Sequence, residues 1–129
     1  EDKQYIEACR ARLPHLKLWK ALSIKDIDTI DEQLTLLHSY HSYINGVVID
    51  APGGGTGVVF NWNAIDRFIA ICKQHHLRLF VAGGLHEANV EVLLEQYHVC
   101  GVDVSSGVET DCIKDINKIK AFVGKVRNI

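Results

Sequence analysis

Asp50 closes an apolar run, Val47-Val48-Ile49, and is followed by Ala51-Pro52-Gly53-Gly54-Gly55-Thr56-Gly57. A carboxylate there can act as a general acid or base if a pocket partly desolvates it and raises its pKa. It can also simply cap the next turn. Two later stretches end in the same way: Phe80-Val81-Ala82-Gly83-Gly84-Leu85 and Gly101-Val102-Asp103-Val104-Ser105-Ser106-Gly107-Val108-Glu109. Backbone amides around Gly83, Gly84, Ser105, Ser106 and Gly107, with the serine hydroxyls, suit a phosphate dianion, although each stretch alone could be an ordinary turn. Asp103 lies two residues before Ser105, so both point to the same side of a strand. It can orient the phosphate loop or be a buried structural acid. Together, the three strand ends make one side of a site for a phosphorylated small molecule.

Gly54, Gly55, Thr56 and Gly57 belong to a loop too rich in glycine to be only a turn, because glycine carries a backbone-entropy cost. A mobile lid or a close approach to ligand is expected. No Gly-Lys-Ser/Thr follows, so it is not a P-loop. His38 and His41 have a helical spacing that could bind metal, but no third ligand stands nearby in sequence. A solvated helix face is expected there, and a helix end at His75-His76. Cys9, Cys72, Cys100 and Cys112 form no CxxC pair and read as free thiols of a reducing cytoplasm. No metal site is expected.

The elements that must position these residues alternate. Residues 1–12 read as a helix with Tyr5, Ile6 and Cys9 on one face. Strands are expected at residues 16–22, 46–50, 77–82 and 100–104, the second buried on both faces because its Val-Val-Ile run is unbroken. Asp28 or Thr29 can cap a helix burying Ile30, Leu34, Leu37 and Tyr40. Asn61 can cap one burying Trp62, Ile65, Phe68, Ile69 and Cys72. A further helix buries Val90, Leu93, Leu94 and Tyr97, and Asp115 caps a last one with Ile116, Ile119, Phe122 and Val123 inward. The order α-βα-βα-βα-βα implies a parallel sheet with right-handed crossovers. Polar and glycine-rich loops after three of the four strands favour part of a closed barrel over a small open sheet.

Residues 1–129 read as a single domain, since 47% hydrophobic content supports a real core and no linker divides the chain. A net charge of -2 with no basic stripe argues against nucleic acid and membrane surfaces as partners. No run reaches membrane-spanning length, and no signal-peptide pattern opens the chain. The chain has no methionine and begins on a helix already under way, which predicts a piece of something longer.

In these motifs the chain resembles the phosphoribosylanthranilate isomerases of tryptophan biosynthesis. The resemblance runs in order through Trp19-Lys20-Ala21, Ile49-Asp50-Ala51 with Gly54-Gly55-Thr56-Gly57 and Phe60-Asn61-Trp62, Ala82-Gly83-Gly84-Leu85 with Asn89-Val90, and Gly101 to Glu109 with Lys114-Asp115. It implies a parallel (βα)8 TIM barrel of which this chain is about the C-terminal half, units five to eight. It also implies an Amadori rearrangement of an aminoaldose to an aminoketose in the cytoplasm, without metal or organic cofactor. Asp50 would be the general acid that opens the furanose ring. Gly83, Gly84, Ser105, Ser106 and Gly107 would hold the phosphate, supported by Asp103. The family's general base, a cysteine in a Lys-Ile-Cys-Gly type motif on its first strand, has no counterpart here. A phosphate-contacting arginine on the second strand and a histidine-bearing fourth strand are also without counterpart. His86 and Asp111-Cys112 depart from the family pattern in smaller ways. The missing N-terminal half is thus an implied partner, and open sheet edges invite homo-oligomers. A non-catalytic phosphate-binding or assembly module is the alternative. A related phosphosugar barrel, such as indoleglycerol phosphate synthase or a histidine-pathway isomerase, is disfavoured by the Gly-Gly-Thr-Gly and Asn-Trp stretch.

Overall fold

The computed structural model describes residues 2–24, 27–50 and 62–128. Asp2 opens the first helix, α1 (Lys3–Arg12), its Oδ1 accepting the Tyr5 amide at 2.9 Å. This satisfies one of the donors that a helix start leaves unpaired. Ile6 is buried, whereas Tyr5 is 59% exposed, so the inward face is narrower than expected. Arg10 ties α1 to the rest of the fold. Its guanidinium donates to the carbonyls of Tyr43 (3.0 Å), Pro14 (3.1 Å) and Leu16 (2.8 Å) and to Asn45 Oδ1 (2.8 Å).

Four parallel strands, β1 (Trp19–Ser23), β2 (Gly46–Asp50), β3 (Arg78–Ala82) and β4 (Gly101–Val102), pair in sequence order. Between them run α2 (Ile27–Tyr40), α3 (Asn63–Gln74) and α4 (Val90–Gln96), and α5 (Ile116–Arg127) closes the described chain. β4 is shorter than the five residues expected. Its ladder extends one residue to each side, through Cys100 N to Leu79 O and Asp103 N to Val81 O, both 2.9 Å. Asp28 and Thr29 fall inside α2 instead of capping it, because the helix starts earlier than the cap signal. The expected Asn61 cap and the whole of Gly54, Gly55, Thr56 and Gly57 lie outside the described residues.

The helices cover one face of the sheet. Leu22, Val47, Ile49, Leu79 and Val81 point to that side and pack in one core cluster with Ile30, Leu37, Phe68 and Leu93. Alternation along each strand sends Trp19, Ala21, Val48, Phe80 and Asp50 to the other face. There Trp19 is 38% exposed and Val48 half-buried, with Trp19 packed edge-on against Phe80 at 4.9 Å between ring centroids. The expectation that β2 is buried on both faces is therefore corrected. An unbroken apolar run leaves Val48 on a face that no described helix covers.

The α5 face also differs from expectation. Asp115 caps the helix as expected, its Oδ1 accepting the amides of Asn117 and Lys118. Thr110 and these two amides hold its carboxyl below the usual range. The inward stripe, however, is Ile119, Phe122 and Val126, while Ile116 (60%) and Val123 (39%) are exposed. Before α5, β5 (Glu109–Thr110) and β6 (Ile113–Lys114) form an antiparallel hairpin. Its two turn residues, Asp111 (φ 51°) and Cys112 (φ 62°), are both left-handed. This is the twist a two-residue hairpin needs, but Asp-Cys lacks the glycine that usually announces it. Among the described residues, no helix is long and apolar enough to cross a membrane.

Candidate active site

In the parallel sheet, all four strands deliver their C-terminal ends to one rim. Asp50 ends β2 in register with Ser23 on β1 and Ala82 on β3. The loops after β3 and β4 follow directly. A cavity of about 300 Å³ opens between them, and Asp50, Gly83, Gly84, Asp103, Ser105, Ser106 and Gly107 all line it. The structure thus brings together the described residues that the sequence reading assigned to the acid and phosphate site.

The local chemistry explains the residue types. Gly83 (φ 90°) and Gly84 (φ 62°) are both left-handed, where an L side chain is strained. Asn89 pins this turn from the start of α4: its Nδ2 donates to Gly84 O at 3.0 Å, and its Oδ1 accepts the His86 amide at 2.9 Å. Gly107 has a different constraint. A Cβ there would stand 1.8 Å from the carbonyl oxygen of Leu85. The two loops therefore meet backbone to backbone, with Leu85 and Val108 buried beneath them. Ser106–Val108 turns as a single 3₁₀ turn, with Val108 N donating to Ser105 O at 3.3 Å.

Two expectations about the acids change. Asp103 is exposed, which removes its reading as a buried structural acid. Asp50 is exposed as well, so these residues do not provide the desolvation expected of its pocket. Both carboxylates stand on the side of the sheet that the described helices leave open.

Sequence reasoning missed two lysines. Lys114 Nζ donates to Ser105 O (2.9 Å), Ser105 Oγ (3.0 Å) and Glu109 Oε1 (2.5 Å). Lys118 Nζ donates to Glu109 O at 2.6 Å. Both act over nine residues through the hairpin, and the Lys114-Asp115 pair gave no sign of this beyond its cap.

A histidine cluster stands apart from the cavity. His75, at the end of α3, meets the end of α2: His38 Nδ1 and His75 Nε2 share a hydrogen bond of 2.7 Å, and His41 stacks on His75 at 3.7 Å. His75, distant in sequence, reaches His38 and His41 because α2 packs on α3. His41 stacks on His75 while His38 meets it edge-on, and among the described residues no group of three ligating side chains could hold a metal ion. Desolvation, then His41, His38 and His76, push the His75 pKa below its ordinary 6.5. A lowered histidine pKa means that the folded state binds fewer protons than the unfolded one. The contribution to stability is full above about pH 6.5 and is lost as pH falls below it. Thermal unfolding followed from pH 7.5 to 5.5 should show this loss, and His75→Gln should flatten that part of the profile. An unchanged slope would remove the cluster from the acid response.

Comparison with known proteins extends the motif resemblance to the whole chain. A family profile described as N-(5'phosphoribosyl)anthranilate (PRA) isomerase matches residues 1–125. The N-(5'-phosphoribosyl)anthranilate isomerase of Thermoanaerobacter sp. (strain X514) is 35% identical over 129 residues, covering 100% of this chain and 58% of that protein. The solved phosphoribosyl anthranilate isomerase of Thermococcus kodakaraensis superposes with a TM-score of 0.75 at 26% identity, over 99% of this chain and 60% of that one. Another phosphoribosyl anthranilate isomerase, solved in complex with reduced 1-(o-carboxyphenylamino)-1-deoxyribulose 5-phosphate, gives a TM-score of 0.69 at 25% identity, covering 96% of this chain and 55% of that one. The chain thus spans between 55% and 60% of the length of these relatives. The sheet, its rim loops and the profile match agree on one conclusion: this chain belongs to the PRA isomerase family.

Proposed function

We propose that this chain is the C-terminal half of a (βα)8 barrel that isomerises N-(5-phosphoribosyl)anthranilate to the corresponding 1-deoxyribulose phosphate in tryptophan biosynthesis. The observation that carries the reading is the rim cavity, where Asp50 and two glycine- and serine-bearing loops meet at the ends of successive parallel strands. Asp50 protonates the furanose ring oxygen, the C–O bond breaks, and the nitrogen lone pair takes up the positive charge as an iminium. Loss of the C2 proton to a base then gives an enolamine, which becomes the ketone. By family resemblance that base is a cysteine of the upstream half. Gly83, Gly84, Ser105, Ser106 and Gly107 hold the phosphate, and Asp103 supports their loop. Gly54, Gly55, Thr56 and Gly57 act as a lid.

The one-sided sheet supports the half-barrel. Trp19, Ala21, Val48 and Phe80 form an apolar face without a described cover, as the wall of a barrel interior would. Each sheet edge borders an open cleft: one of about 270 Å³ beside Ile6, Leu18 and Trp19 at β1, and one of about 260 Å³ beside Leu94, Val99 and Val126 at β4. The same edges favour a second reading, an assembly module that associates through them without catalysis.

The test is loss of phosphoribosylanthranilate fluorescence with this chain alone and mixed with a polypeptide supplying the four upstream units. Activity is expected only in the mixture. In sedimentation, the chain alone should run as a dimer or larger species and enter a one-to-one complex with the upstream half. Turnover by the chain alone would place the base within these residues, and a well-folded monomer would contradict the half-barrel.

A further inference from the structure

Lys114 lies outside the cavity lining yet governs its rim. Its ammonium has three protons and meets three acceptors: Ser105 O, Ser105 Oγ and Glu109 Oε1. Its position is thereby fixed. The consequence falls on Ser105, which does line the cavity. A hydroxyl that accepts from an ammonium keeps its own proton to donate elsewhere. With the ammonium bound to Ser105 Oγ, the hydroxyl proton is available to a further acceptor such as a ligand in the cavity. At the same time a phosphate dianion entering here would face two carboxylates, Asp50 and Asp103, whose charges oppose it. Lys114 ties its ammonium to both the carbonyl and the hydroxyl of a residue that lines the cavity. Glu109 anchors this cation, and Lys118 braces the same hairpin from the Glu109 carbonyl.

We propose that Lys114 is a positioning residue for anion binding. It acts through Ser105, orienting the hydroxyl as a donor to a phosphate oxygen. The inference rests on the phosphate reading of the cavity.

The experiment is titration of the 129-residue chain with inorganic phosphate, comparing wild type with Lys114→Met, Lys114→Arg, Ser105→Ala and the Lys114→Met/Ser105→Ala pair. Lys114→Met should weaken binding about tenfold, the scale of one charge-assisted hydrogen bond, while Lys114→Arg keeps most of the affinity. In the Ser105→Ala background the further loss from Lys114→Met should be markedly smaller, because residues that act through one another are not additive. A purely structural role for Lys114 would instead give equal losses in both backgrounds. If Lys114→Met does not fold, Lys114→Gln replaces it. Wild-type binding with an unaffected Lys114→Met, or strictly additive losses, would overturn the role of Lys114 and leave the phosphate reading standing. No phosphate binding by wild type, either alone or mixed with the polypeptide supplying the four upstream units, would defeat that reading and this proposal with it.

Discussion

Asp50→Asn in the barrel completed by the proposed upstream half is expected to lower turnover by on the order of 10²–10⁴-fold, the scale of a general acid. Asparagine keeps the size and polarity of the side chain but has no carboxyl proton to give to the ring oxygen. The substitution therefore removes ring opening and leaves the cavity floor intact. Affinity for a reduced product analogue should stay close to wild type, because the loops carrying Gly83, Gly84, Ser105 and Ser106 are untouched. The pair of measurements separates chemistry from binding: kcat falls while the analogue's Kd holds. Near-normal turnover would remove Asp50 from the mechanism. The exposure of Asp50 adds a second consequence. A general acid acts best where bulk water is excluded from the reacting atoms. In this chain the open sheet face leaves Asp50 exposed. On the half-barrel reading, the upstream units complete the desolvation of the acid as well as supplying the base.

The parts of this fold legible in the sequence were those with a local signature. Val47-Val48-Ile49-Asp50 marks its strand because apolar β-branched residues run straight into an acid, and β2 adds only Gly46 to that pattern. Gly83-Gly84 announced a turn because only glycine is comfortable at φ values of 90° and 62°. What escaped depended on partners distant in the chain. Val48 looks no different from Val47 in sequence, yet one faces helices and the other does not, a difference set by which sheet face is covered. Ile116 and Val123 satisfy helical periodicity as well as Val126 does, and packing against α4 and the turn before β5 decides among them. His75 reaches His38 across 37 residues. Lys114 gains its role from an Asp-Cys turn in which two residues adopt left-handed conformations without glycine. Resemblance to a family supplied roles for residues, but not the lysine behind the serine loop.

Gly107→Ala should be the most disruptive of the glycine-to-alanine changes at Gly46, Gly101, Gly107 and Gly124. The added Cβ would sit 1.8 Å from the Leu85 carbonyl oxygen, far inside van der Waals contact, and the obstacle is backbone that cannot rotate away. The two rim loops must separate. Leu85 and Val108 anchor them in the core, so separation also disturbs buried packing. Overpacking of this kind typically costs about 1–3 kcal/mol, and here the upper end is expected because backbone must move on both sides. Function should suffer more than stability. Ser105 and Ser106 precede Gly107, Gly83 and Gly84 precede Leu85, and both groups line one cavity. A shift of about 1 Å between groups that must act on one ligand can cost on the order of 10²-fold. Phosphate affinity of Gly107→Ala should accordingly fall well beyond that of Ser105→Ala. Thermal unfolding and phosphate titration on the same sample would separate the two effects. An alanine variant with wild-type stability and affinity would mean that the loops do not meet at Gly107. The cavity could not then be the rigid anion cradle on which the proposed isomerase reading depends.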